Sequence, residues 1–151
     1  MENGEKKLSP ERAEACKLFD VVSRRVQSRY VRETERIGMK PGFRNIIRCL
    51  AEGYEGATQQ MLVRRTRLSA PTVSVSLGRM ERDGLVRRVT SDEDQRSVCV
   101  YLTEKGWAME RERRRIADEM EAEFSACLTD GEIQPLSAIM EKVWRQMFGR
   151  R

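Results

Sequence analysis

The chain has 151 residues, a net charge of +5 and no histidine, with 35% charged and 39% apolar residues. This length suits one domain, and the missing histidine excludes a histidine-based catalytic triad, general base or metal site. No stretch approaches the roughly 18 apolar residues of a membrane span, and the N-terminus lacks a signal-peptide core, so we expect a cytoplasmic protein with no membrane partner.

Two helices are predicted at the start of the chain. Ser9 and Pro10 form an N-cap and first-turn pair, which begins a helix reaching about Ile37. A second helix is expected from Pro41 to about Glu52. Apolar residues at helical spacing mark one stripe of the first helix, at Phe19, Val22, Val26 and Tyr30. In the second helix, such residues are expected to face the core, at Phe43, Ile46, Ile47 and Leu50.

A helix-turn-helix is predicted next. Thr58 caps a short helix that ends at Thr66, and three residues connect it to a helix that begins after Ser69 and stops at Gly84. A proline in the first turn of the second helix supports this start, because its missing N–H has no helical partner there. The apolar stripe of this helix consists of Val73, Leu77 and Met80.

The opposite face of the helix after Ser69 is unusual because it is small and uncharged, whereas a solvated face normally carries lysine and glutamate. Small side chains let a helix enter a major groove about 12 Å wide, with its N-terminal residues toward base edges. Arginines that border the face are then expected to meet phosphates. The small residues are Ala70, Pro71, Ser74, Val75 and Gly78, and the arginines are Arg79, Arg82, Arg87 and Arg88.

A β-hairpin is predicted after this helix, with strands at 85–89 and 97–102 around a polar loop. In the second strand, Val98, Val100 and Leu102 alternate with more polar positions, which is the pattern of a half-buried strand. Gly56 and Ala57 are expected to add a short strand beside it. A hairpin after the second helix of a helix-turn-helix indicates a wing.

Two more helices are predicted toward the C-terminus. Thr103 caps one that reaches about Leu128, and Thr129 with Glu132 forms a capping box that begins the last. Pro135 should kink this last helix. Apolar residues spaced by four mark the first of these helices, at Ile116, Met120 and Phe124, and the inward residues of the second are Leu136, Ile139, Val143 and Met147. The arginines at 111, 113, 114 and 115 are interpreted as a solvated, salt-bridged face.

The terminal helices carry more apolar surface than one compact core of this size needs, so we expect a homodimer. Two-fold symmetry would place two recognition helices about 34 Å apart, which is one turn of B-DNA. The predicted fold is therefore mainly α with a small β-hairpin wing. It is a single domain over residues 1–151, with a winged helix-turn-helix core at 41–102 and dimerisation helices at 9–37 and 103–148.

The central region resembles the MarR family of bacterial transcription regulators. The chain departs from that pattern at Val75, where many members carry arginine, and at Ser91, where they carry the first aspartate of the wing. The resemblance implies a dimeric DNA-binding regulator, most often a repressor, that is released by a small aromatic or phenolic ligand. The residues that carry it are Pro71, Thr72, Val73, Ser74, Arg79, Met80, Glu81, Gly84, Leu85, Val86, Asp94, Arg96, Leu102, Thr103 and Gly106.

The expected partner is double-stranded DNA with a pseudo-palindromic operator. By resemblance to the D-x-R pattern of the family, Asp94 holds the wing, and Arg96 either lies near the minor groove or pairs with Asp94. No catalytic residues, metal or cofactor are expected. The predicted DNA-binding residues are Ala70, Pro71, Thr72, Ser74, Val75, Arg79, Arg87, Arg88, Gln95 and Arg96.

Two alternatives remain open. One is a thiol-based redox sensor using Cys16, because a peroxide-sensing branch of the family places a reactive cysteine near the start of the first helix and Lys17 adjoins this one. The simpler interpretation of Cys16 is a small buried residue, and Cys49, Cys99 and Cys127 are interpreted as packing residues. The other alternative is a protein-interaction module that does not bind DNA. An enzyme is not expected.

Overall fold

The computed structural model describes residues 8–90 and 97–149. Its contacts divide the chain into two compact units, one reaching Arg113 and the other beginning at Arg114. The helices are α1 (Pro10–Arg36), α2 (Phe43–Cys49), α3 (Gln59–Thr66), α4 (Ala70–Arg82), α5 (Glu104–Ala126) and α6 (Asp130–Phe148), and the strands are β1 (Ala57–Thr58), β2 (Val86–Thr90) and β3 (Val98–Leu102). The mainly helical fold with a small β-hairpin wing is confirmed.

Helix α2 differs from its predicted bounds at both ends. It begins two residues after Pro41, because Gly42 has a φ of 89° and belongs to the preceding turn. It ends at Cys49, where the helical path widens into a π-helical turn, Leu50–Tyr54, that contains Gly53 at a φ of 103°. The inward residues were predicted correctly, since Phe43, Ile46, Ile47 and Leu50 are all buried.

The sheet has the order β1-β3-β2, and both pairs are antiparallel. The hairpin register places Val86 opposite Leu102 and Thr90 opposite Val98. Near the core end, Val100 and Leu102 are buried, as the alternation in the second strand predicted, and Val86 of β2 is buried beside them. The prediction that Val98 faces inward was wrong, because it lies at the far end of the hairpin, beyond the core, and is exposed.

The core of the first unit is formed mainly by α2, α3, α4 and the sheet. Its largest fully buried side chains include Phe43, Met39, Leu62, Leu77 and Met80. Apolar surface from four elements is thus removed from water on one side of α4, which is the dominant stabilising contribution to this unit. Helix α4 is therefore held on a packed base.

The contact between the start of α5 and the chain after α4 explains why the sequence pattern contains Thr103 and Gly106. Thr103 accepts the N–H of Gly106 at 3.1 Å as the predicted N-cap, and its hydroxyl donates to the Gly84 carbonyl at 2.6 Å. A Cβ on Gly106 would collide with the carbonyl oxygen of Leu85. Glycine is therefore required for the close approach between α5 and the chain leaving α4.

A buried polar cluster connects α1, α2 and α5 within the first unit. Arg113, only 6% exposed, donates to both carboxylate oxygens of Glu110, at 2.6 and 2.7 Å, and to the Tyr30 hydroxyl at 2.8 Å. The hydrogen bonds from Arg113 to Glu110 raise the pKa of Arg113. Arg44 donates to Thr34 at 2.9 Å and lies over the Tyr30 ring. The interpretation of the α5 arginines as solvated was therefore wrong for Arg113, although Arg115 pairs with Glu119 as expected.

The second unit contains the end of α5 and all of α6. The predicted capping box is confirmed, with the Thr129 N–H donating to the Glu132 carboxylate at 2.8 Å, which lowers the pKa of Glu132. Helix α6 continues through Pro135. All of its residues are described, and none is buried. In the part of the chain that the structure describes, no helix is long and apolar enough to cross a membrane.

Candidate DNA-binding surface

The first turn of α4 is fixed by its own side chains. Ser69 accepts the N–H of Thr72 at 3.3 Å, and the hydroxyls of these two residues are 2.7 Å apart. Pro71 occupies the first turn, as predicted. The first turn is thereby pre-organised at the end of the helix that is predicted to meet base edges. The dipole of the helix also favours anions at this N-terminus.

The two faces of α4 differ in size and burial. The inward face is formed by Val73, Ser76, Leu77 and Met80, all buried. The side chains on the other face are small or bear a single positive charge and are open to solvent: Ala70, Pro71, Thr72, Ser74, Val75 and Arg79. The structure thus brings together on one surface every predicted contact residue of this helix. Gly78 is half-buried, and a Cβ there would meet no described atom.

Ser76 has a structural role that the sequence pattern did not reveal. It is buried, and a Cβ on Gly42 would lie 2.5 Å from its hydroxyl oxygen. The methyl group of Thr72 faces the same point, 4.0 Å from that position. Gly42 therefore lets the turn before α2 approach α4 closely. The sequence pattern did not reveal this requirement, because Gly42 lay inside the helix predicted from Pro41.

The turn between α3 and α4 has the three predicted residues. Thr58 accepts the N–H of Met61 at 3.3 Å as the N-cap of α3, and Arg67 ends that helix with a left-handed φ of 57°. Thr66 donates its hydroxyl to the Leu62 carbonyl at 2.7 Å and accepts the N–H of Leu68 at 3.4 Å. These hydrogen bonds fix the conformation of the turn that leads to Ser69.

Positive side chains gather at the C-terminal end of α4. Arg79 and Arg82 line a shallow depression with Lys40 and Asp83. Lys40 donates to the Asp83 carboxylate at 2.7 Å, and this hydrogen bond lowers the pKa of Asp83. Arg82 donates to the Gly78 carbonyl at 3.3 Å. The depression therefore carries more positive than negative charge, on a part of the surface that adjoins the small face through Arg79.

The two described wing arginines have different surroundings. The Arg87 guanidinium lies over the Tyr101 ring, 4.6 Å from its centroid, and both residues are on paired strands. Arg88 pairs with Glu81 of α4, with 3.3 Å between Nε and Oε2. The positive charge of Arg88 is thus partly balanced by a carboxylate of the same unit. The predicted Asp94, Gln95 and Arg96, and the departure at Ser91, lie outside the described residues.

Sequence and structure comparisons agree with this architecture. A model described as "MarR family" matches residues 48–97, which include α3, α4 and β2. The matched residues, a third of the chain, are similar to the MarR family. The homoprotocatechuate degradative operon repressor of Escherichia coli is 32% identical over 97 residues, which cover 64% of this chain and 65% of that protein. The regulator MgrA of Staphylococcus aureus is 34% identical over 76 residues, half of each chain.

Solved structures show the same fold. A variant of MepR from S. aureus superposes with a TM-score of 0.80 at 23% identity, covering 87% of this chain and 97% of that one. The YusO protein from Bacillus subtilis has a TM-score of 0.79 at 18% identity, with coverage of 92% and 99%. A MarR family transcription regulator has a TM-score of 0.75 at 25% identity, with coverage of 91% and 94%. The winged helix-turn-helix architecture is thereby confirmed.

The cysteines of this chain lie in different environments. Cys16 is exposed in α1, so the interpretation of it as a buried residue was wrong. Cys49 is buried, and burial raises the pKa of its thiol. Cys99 is half-buried in β3, but Cys127 is exposed and was wrongly interpreted as a packing residue. Among the described residues, no group of three histidine, cysteine or carboxylate side chains is arranged to hold a metal.

Proposed function

We propose that this protein is a DNA-binding transcription regulator. It acts as a homodimeric repressor on a pseudo-palindromic operator and releases the operator when a small aromatic ligand binds. The observation that carries this proposal is α4, whose inward face is buried while its opposite face is small, exposed and bordered by arginine. A helix of this kind can approach base edges closely while arginines contact phosphates.

The relatives support the same activity. The E. coli relative is named as an operon repressor and the S. aureus relative as a transcriptional regulator. A second MepR variant, bound to an oligodeoxyribonucleotide, has the same fold with a TM-score of 0.67 at 23% identity, covering 88% of this chain and 97% of that one. These proteins are regulators rather than enzymes, and we propose the same for this chain.

The exposed apolar side chains of α6 support a homodimer. Ile139, Met140, Val143, Trp144 and Met147 are all open to solvent in the single chain. A second copy would cover them through a symmetric contact and set the spacing of the two α4 helices. A signalling ligand would act by binding more tightly to dimers whose α4 spacing does not fit DNA.

Selection from a random duplex library, followed by fluorescence anisotropy, tests the proposal. We expect enriched duplexes with two related half-sites, bound at least about a thousandfold more tightly than shuffled sequence. The DNA flanking the gene should contain a matching site. Equal affinity for selected and shuffled duplexes would contradict a sequence-specific regulator. Failure to bind either duplex would favour the protein-interaction module.

A second candidate function, redox sensing, is favoured by one observation, the exposure of Cys16. If its thiol is the sensor, peroxide should release DNA from the unchanged protein but not from Cys16→Ser. Cys127→Ser is the matched control, because Cys127 is also exposed but lies in the segment between α5 and α6, far along the chain from α1. Equal peroxide responses in the unchanged protein and Cys16→Ser would exclude this mechanism.

A further inference from the structure

We propose that Val75 selects thymine at one operator position by packing its methyl groups against the C5-methyl of that base. This inference rests on the proposed DNA-binding function and names a sequence preference within it. The site is the middle of the exposed face of α4, about one and a half turns from the helix N-terminus. The chemical feature it would recognise is an apolar methyl in the major groove.

Val75 is exposed and does not contribute to the hydrophobic core of its own unit. Its side chain is 55% open to solvent, whereas Val73, two residues earlier, is fully buried. A β-branched residue on an exposed helix face is less favourable for the helix than alanine. The residue is therefore not explained by the stability of α4, but an apolar contact outside the chain would explain it.

The neighbouring side chains make Val75 the main apolar group on this face beyond the first turn. The Thr72 hydroxyl is hydrogen-bonded to Ser69, and its methyl faces the Gly42 turn. Ser74 presents a hydroxyl, and Arg79 presents a cation one turn after Val75. Ala70 and Pro71 are apolar but lie in the first turn.

Among the four bases, thymine best matches an aliphatic side chain in the major groove. All four bases present polar atoms there, which valine cannot satisfy, but only thymine adds a methyl group, beside its O4 acceptor. Facing valine, the polar groups of guanine, adenine and cytosine would lose water without gaining a partner or a compensating apolar contact. The C5-methyl of thymine gains a contact and buries apolar area. Val75 thus favours thymine by attraction and disfavours the other bases by desolvation.

A double-mutant cycle between protein and DNA tests the proposal. Each thymine of a selected operator is replaced singly by deoxyuridine, which lacks only the C5-methyl. Affinities are then measured for the unchanged protein, Val75→Ala and the control Ser74→Ala. Val75→Ala should fold, because alanine is the better helix former at an exposed site. The cycle removes any effect of deoxyuridine on the flexibility of the duplex.

We expect one thymine, in equivalent positions of the half-sites, at which deoxyuridine weakens binding by the unchanged protein about fourfold, the effect of one buried methyl. Val75→Ala should lose nothing at that position, and Ser74→Ala should retain the fourfold discrimination. Equal losses for the unchanged protein and Val75→Ala at every thymine would overturn the inference, as would an operator with no sensitive thymine. In either case, operator binding would persist and the proposed function would stand.

Discussion

Helices α4 and α6 are both amphipathic, but they leave opposite faces exposed. In α4, the apolar stripe of Val73, Leu77 and Met80 is buried and the small face is open. In α6, no residue is buried, and its large apolar side chains, including Met147 at 68% exposure, remain in water. Helix α4 thus buries its apolar stripe within its own unit, whereas α6 presents an apolar surface that a partner would cover.

This difference indicates two kinds of contact. The apolar side chains of α6 favour a dry, well-packed interface with a like surface. The small face of α4 with bordering cations favours a polar, charged partner that admits a helix at close range. The proposed dimerisation surface and the proposed DNA surface thus lie on different helices, α6 and α4. Substitutions can therefore test each surface alone.

The largest effect is expected from a charge on α6. Val143→Glu would place two carboxylates in a symmetric apolar interface, each costing several kcal/mol, so the dimer dissociation constant should rise at least about a thousandfold. Ala138→Glu, on the opposite side of α6, is the control and should leave the dimer intact. Sedimentation distinguishes dimers from folded monomers of 17.6 kDa. Dimerisation that resists Val143→Glu, or an unchanged protein that is monomeric at micromolar concentration, would contradict the proposed interface.

A charge on the small face of α4 should act on DNA binding alone. Ser74→Glu sets a carboxylate against base edges and phosphates, so operator affinity should fall about a hundredfold or more. Because Ser74 is exposed, the free energy of unfolding should change by no more than about 0.5 kcal/mol. The control Ser28→Glu adds the same charge to an exposed position of α1. Anisotropy titrations and melting curves measure both quantities. Unchanged operator affinity in Ser74→Glu would show that α4 is not the recognition helix.

The stability of the first unit depends on the close contact between Gly106 of α5 and the Leu85 carbonyl after α4. Gly106→Ala forces a methyl into the Leu85 carbonyl, which should lower the free energy of unfolding by about 2–3 kcal/mol and the melting temperature by roughly 5–10 °C. Gly131→Ala in α6 meets no described atom within 4 Å and serves as the control. Equal melting temperatures for the two variants would mean that this contact can relax and that α4 is not rigidly held.

The smallest effects should separate the two wing arginines. If Arg87 contacts a phosphate, Arg87→Ala in both subunits should weaken specific and non-specific binding similarly and make the log–log salt dependence shallower by about two units. Arg88→Ala should change that slope less, because Arg88 already pairs with Glu81. It should also lower the melting temperature slightly. Arg111→Ala, on the exposed surface of α5, is the control. Unchanged slopes for both wing variants would mean that neither arginine touches DNA.

The sequence was sufficient for features that depend on neighbouring residues. Ser69, Thr58 and Thr103 cap their helices by local rules, and the period of the apolar residues identified the buried side of α4. Features that depend on distant parts of the chain were not predictable. The burial of Arg113 requires Tyr30, 83 residues away, and the fit of Ser76 requires Gly42. The π-helical turn after Cys49 has no distinct sequence signal.

The central claim is that two α4 helices of one dimer enter successive major grooves of a selected duplex. Dimethyl sulfate protection reports guanine N7 atoms in the major groove, and we expect two protected patches whose centres are about 10 base pairs apart. Ser74→Glu should abolish both patches at the same protein concentration. A single patch, or protection that persists in Ser74→Glu, would contradict the claim.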